Sequence, residues 1–64
     1  MVKINGNDHD LAGRSVAEVL AELGYETGRI AVEKDEEIIP KSAYGQTILK
    51  DGDTIEVVSF VGGG

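Results

Sequence analysis

One short apolar stripe of helical period stands between segments of strand-like alternation, and it limits what the chain can build. Val16, Val19, Leu20 and Leu23 fall at i, i+3, i+4 and i+7, with Glu18 and Glu22 on the wet side. Ser15-Val16-Ala17-Glu18 has the form of a capping box, in which the hydroxyl and the carboxylate satisfy amide donors left free at a helix start. Gly24 supplies a C-terminal stop. One helix of this length cannot enclose a core by itself, so the other apolar residues must form a sheet with the helix across one face. The chain has 64 residues and no cysteine, so neither a disulfide nor a thiolate metal site can substitute for that core.

The strand signals are local and specific. Val2, Lys3 and Ile4 alternate, and Asn5-Gly6 is the pair preferred in a two-residue type I′ hairpin turn, where both residues need positive φ. That turn pairs Ile4 with Asn7, Lys3 with Asp8 and Val2 with His9. The second strand, residues 8–11, is acidic and poor in β-propensity, which suits a protected sheet edge. Residues 30–33 read as a β-branched strand, followed by a charged turn over residues 34–37 and by Ile38-Ile39 up to Pro40. Residues 41–46 read as an irregular segment with a single helical turn, and Ile48 and Leu49 are the expected anchors beneath it. After the turn Asp51-Gly52-Asp53, residues 54–60 form a strand with Ile55, Val57 and Ser59 on one face and Glu56, Val58 and Phe60 on the other. The expectation is one α+β domain over residues 1–64, without internal repeat or linker.

Composition excludes some partners. A net charge of −6, from 12 acidic and 6 basic residues, repels phosphate backbones and anionic lipids, so no nucleic acid and no membrane partner is expected. The apolar runs are too short to span a bilayer, and Met1 leads directly into a strand-like segment; a soluble cytoplasmic protein is the expectation.

Internal catalytic chemistry finds little support. In Asp8-His9-Asp10 strand alternation points the aspartates away from the histidine, so no metal site is expected there. The single histidine and the lack of cysteine leave no triad, and the stretch between Glu33 and Glu37 lacks the spaced oxygens and central glycine of a calcium loop. Tyr44 reads as a cover for the core, with its hydroxyl toward water. Val58 and Phe60 are candidate partner-binding residues if the helix covers one sheet face only; burial beneath a loop is the competing reading.

The three glycines after Val61 make a narrow, flexible arm. Gly62, Gly63 and Gly64 lack a Cβ, so their backbone can approach a partner closely, and the segment from Val61 can reach roughly 13 Å at about 3.3 Å per residue. Two readings fit this composition: a reactive arm whose terminal carboxylate enters another protein's pocket, or a frayed tail.

Over essentially its whole length the chain is similar to the sulfur carrier proteins of thiamine biosynthesis, small members of the ubiquitin-like β-grasp family. The matching features are the Ile4-Asn5-Gly6 turn, Ser15-Val16 opening a helix with Val19-Leu20, the Val32 to Pro40 segment, Asp51-Gly52-Asp53, and the ending Phe60-Val61-Gly62-Gly63-Gly64. Asp35 and Lys41 stand where that family often has asparagine and arginine. The resemblance implies a mixed sheet of four to five strands with one main helix on one face. It implies a protein co-substrate, not an enzyme. The Gly64 carboxylate is adenylated by a ubiquitin-activating-enzyme-like protein using ATP and Mg²⁺, and converted to a thiocarboxylate (1-thioglycine) with sulfur from a donor such as a cysteine desulfurase persulfide. Thiazole synthase then receives the sulfur, and no cofactor is bound permanently. On this reading Gly62 and Gly63 are tail recognition residues, and Val58, Phe60 and Val61 bind partners. The rivals are a small-subunit carrier like that of molybdopterin synthase, a protein modifier joined to target lysines, and a non-carrier ubiquitin-like binding module.

Overall fold

The computed structural model describes residues 1–60. Its elements are β1 (Val2–Ile4), β2 (Asn7–His9), α1 (Val16–Glu22), β3 (Ile30–Lys34), β4 (Glu37–Ile39) and β5 (Thr54–Ser59), with 3₁₀ turns at Thr27–Arg29 and Lys41–Ala43. The five strands form one mixed sheet in the order β2-β1-β5-β3-β4. β1 and β5 run parallel and every other neighbouring pair is antiparallel.

The first hairpin has the register that its turn dictates. Asn5 and Gly6 have φ of 50° and 85°, and Val2 faces His9, Lys3 faces Asp8 and Ile4 faces Asn7. β2 stops at His9, short of the expected residue 11, because Leu11 leaves the edge and enters the core.

The helix begins as its capping box predicts. The Glu18 N–H donates to Ser15 Oγ at 3.1 Å, and the Ser15 N–H donates to Glu18 Oε1 at 3.0 Å. Those bonds, the Ser15 backbone donor foremost, hold the Glu18 carboxyl below the usual carboxylate range. The remaining free amides of the first turn are met from the irregular segment, since the Val16 N–H reaches Thr47 O at 2.9 Å and the Ala17 N–H reaches Tyr44 O at 3.0 Å.

That docking corrects the reading of Ile48. Ser15 and Ile48 form a β-bridge, so the backbone is extended there and consecutive side chains point in opposite directions. Leu49 is buried, whereas Ile48 is half exposed. Only one of the two neighbours can act as an anchor.

The core lies between α1 and one sheet face. Val16, Val19 and Leu20 meet Val2 and Ile4 of β1, Ile30 and Val32 of β3, Ile39 of β4, and Ile55 and Val57 of β5, with Leu11, Tyr44 and Leu49 closing the margins. Tyr44 therefore packs in the core, as its segment predicts.

Both hairpin turns also secure β5. Val57 N–H donates to Asn5 Oδ1 at 2.8 Å and Val57 O accepts from Asn5 Nδ2 at 3.2 Å, so the asparagine amide continues the β1–β5 ladder beyond the end of β1. On the other side Thr54 N–H donates to Asp35 Oδ1 at 3.1 Å, and the Asp35 N–H donates to Thr54 O at 2.8 Å. Asp35 and Glu36, with φ of 50° and 73°, make the second positive-φ turn without any glycine.

Candidate functional site

The sheet face away from α1 carries the candidate partner-binding residues. Alternation along β5 buries Ile55 and Val57 and sends Glu56 and Val58 to the opposite face, with Phe60 next in that series. Val58 is 54% exposed and Phe60 63% exposed, so the loop-burial reading is excluded. Phe60 is nonetheless held by its backbone, whose N–H donates to Arg29 O at 2.8 Å. Val61, Gly62, Gly63 and Gly64 lie outside the described residues.

Register defines the neighbours of these side chains. Val58 faces Ala31, and Glu56 faces Glu33, which in turn faces Ile38 on β4. Ile38 is 71% exposed and belongs to the same patch. Sequence reasoning left it unassigned, although a signal was present: Ile38 and Ile39 are adjacent in a strand, so only one could face the helix. Ile39 is the buried one. The face is therefore apolar at Ile38, Val58 and Phe60, with carboxylates between.

Glu33, Asp35, Glu36, Thr54 and Glu56 line a shallow depression of about 380 Å³ on this side of the sheet. Nearer β2, Lys3 and Asp8 form an exposed ion pair at 3.9 Å. Arg29, beside Phe60, is turned to Glu26 at 3.4 Å. Among the described residues no group of three or more His, Cys, Asp or Glu side chains is arranged to hold a metal ion. None of the described helices is long and apolar enough to cross a membrane. Chemically, the described residues offer a recognition surface, at the end of which the chain passes into its glycines.

Comparison with known proteins agrees with this arrangement. The model of the ThiS family matches residues 2–64. A thiazole synthase of Paramagnetospirillum magneticum is 45% identical over 62 residues, which cover 95% of this chain and 19% of that protein. The chain thus spans about a fifth of the length of the thiazole synthases it matches, 19% of one and 20% of another. The sulfur carrier protein ThiS of Thermus thermophilus is 39% identical over 64 residues, the full length of both. The crystal structure of the thiamine biosynthesis protein ThiS from Geobacter metallireducens superimposes with a TM-score of 0.79 at 33% identity, covering 98% of this chain and 97% of that one.

A five-stranded mixed sheet with one helix across a single face, shared with such neighbours, is the ubiquitin-like β-grasp. The chain belongs to the ThiS family, the sulfur carriers of thiamine biosynthesis.

Proposed function

We propose that this chain carries sulfur as a thiocarboxylate on Gly64 and delivers it to a thiazole synthase. The observation that supports this reading best is positional. β5 is the central strand, it presents Val58 and Phe60 to solvent, and the glycines follow it directly. Family membership and the identity shared with thiazole synthases agree with it.

The chemistry needs a second protein. A free α-carboxylate has a pKa near 3.5, so at neutral pH it is anionic and a poor electrophile. In the proposed cycle a Gly64 carboxylate oxygen attacks the α-phosphorus of ATP and pyrophosphate leaves, with Mg²⁺ and ATP held by a ubiquitin-activating-enzyme-like partner. A persulfide sulfur, supplied by a donor such as a cysteine desulfurase, then attacks the carbonyl carbon and AMP departs. Cleavage of the resulting acyl disulfide by a thiol leaves the thiocarboxylate and a disulfide. The chain itself contributes the carboxyl group, the glycine approach to it and the recognition face.

Intact mass spectrometry tests the reading. After incubation with ATP, Mg²⁺, the adenylating protein and a persulfide donor, the chain ending at Gly64 is expected to gain the mass difference between sulfur and oxygen at that residue. No gain in a reaction that loads a known carrier would refute it.

Phe60→Ala tests the recognition face separately. With Phe60 largely in solvent, the variant is expected to keep its thermal midpoint within about 3 °C, as surface substitutions usually do. Its affinity for the adenylating protein is expected to fall about tenfold or more, the usual cost of truncating an aromatic anchor. Calorimetric titration and thermal melts read the two effects. A large drop in midpoint with unchanged affinity would make Phe60 a stability residue.

A further inference from the structure

We propose that Glu33 and Glu56 jointly receive one arginine or lysine side chain from the adenylating enzyme, in an acidic notch flanked by the apolar seat of Ile38, Val58 and Phe60. This rests on the carrier reading above and names the surface chemistry of its first partner.

The two carboxylates are set against each other by register. Glu33 and Glu56 are direct partners in the antiparallel β3–β5 pair, on the face away from α1. Like charges placed directly opposite destabilise a sheet. Nothing within the described residues compensates for them. The ion pairs there join Lys3 to Asp8, Arg14 to Glu22, Arg29 to Glu26, Lys34 to Asp35 and Asp53, and the terminal amine to Asp51, leaving both glutamates out. Asp35 and Glu36 add two further carboxylates to the same depression. A cationic side chain entering it meets acceptors on two strands at once.

Apolar residues frame the notch. Ile38 stands beside Glu33, and Val58 is two residues from Glu56 on the same face, with Phe60 beyond it. Exposed apolar anchors around a few charged groups are the make-up of a protein interface, and arginine is the cation enriched in such interfaces. Its planar fork also suits two carboxylates better than an ammonium does.

Tail length and charge select the adenylating enzyme as the occupant. The four residues after Phe60 reach at most about 13 Å, so the face carrying Phe60 must sit close to the pocket where Gly64 meets ATP. A pocket that holds a polyphosphate is ringed by cations, and a carrier of net charge −6 with an acidic notch beside its arm complements that rim.

The proposal predicts two effects of opposite sign in one variant. Full-length Glu33→Gln, Glu56→Gln and the double variant are titrated against the adenylating protein of the same organism, at low and high salt, alongside thermal melts. Each single variant is expected to raise the melting midpoint by about 2–6 °C, as the repulsion is relieved. Each is also expected to weaken binding about tenfold, with a shallower salt dependence than the parent. The double variant is expected to lose little more than either single one, because one cation serves both carboxylates. If the parent accepts sulfur and the variants bind the adenylating protein as tightly as it does, the notch assignment fails and the carrier reading stands. A loss of affinity for thiazole synthase alone also overturns it, because the occupant is then wrong. If the parent is not adenylated at all, both fall together.

Discussion

Gly63→Val is expected to fold like the parent and to be adenylated at least about a hundredfold more slowly. The magnitude follows from the geometry that phosphoryl acceptance needs. The Gly64 carboxylate oxygen must come within about 3–3.5 Å of the α-phosphorus in line with the leaving group, and a misplacement of ~1 Å costs about two orders of magnitude. A β-branched side chain one residue before the reacting carboxyl group widens the arm at the narrowest part of its path and removes dihedral angles that only glycine reaches freely. Stability is expected to be untouched, because every residue of the buried core lies between Val2 and Val57. Pyrophosphate release under single-turnover conditions measures the rate, and a thermal melt checks the fold. Gly63→Ala is expected to fall between the two. A valine variant with parental kinetics would show that the partner's channel is wide there, and the tail recognition assigned to Gly62 and Gly63 would fail with it.

The second large effect is structural. Leu20→Ala is expected to destabilise the domain by about 2–5 kcal/mol. Leu20 is 1% exposed and sits on the face of α1 that meets the sheet, so truncation leaves a cavity that neighbours on two layers must fill. A core in a chain this small rarely supplies more than about 3–5 kcal/mol in total. The substitution therefore removes most of the stability, and the variant is expected to be substantially unfolded at 37 °C. Urea titration by circular dichroism measures the loss. Leu20→Met, which nearly conserves volume, is expected to cost less than about 1.5 kcal/mol. An alanine variant that loses under 1 kcal/mol would mean that α1 can settle onto the sheet and close the gap.

Local chemistry was the legible part of this fold. Asn5-Gly6 specifies both a turn and, through it, the register of Val2 with His9, because a two-residue loop leaves no other pairing. Ser15 and Glu18 mark the helix start for the same reason: their bonds span three residues and depend on nothing distant. Strand order was not legible. The insertion of β5 between β1 and β3 joins residues some fifty positions apart, such as Lys3 and Thr54, and no local pattern encodes such pairings. The glycine-free turn at Asp35 and Glu36 escaped assignment because its positive φ values are secured by tertiary bonds to Thr54.

The site divides along the same line. Alternation alone placed Val58 and Phe60 opposite Ile55 and Val57, and their exposure follows from the single covering helix. The Glu33–Glu56 opposition needed the register of β3 against β5. Ile48 failed as an anchor because its bridge to Ser15 is a contact across 33 residues, invisible in the segment itself.

The lacing of β5 by Asn5 and Asp35 has a mechanical consequence. A strand at the rim of a sheet can be peeled off one hydrogen bond at a time. β5 has a neighbour on each side and a turn side chain bonded near each end, so traction along it loads both ladders in shear together. An enzyme that grips the glycines and draws them into a pocket therefore pulls on the whole sheet as a rigid handle. Repeated capture and release can proceed without unravelling the strand that bears the arm.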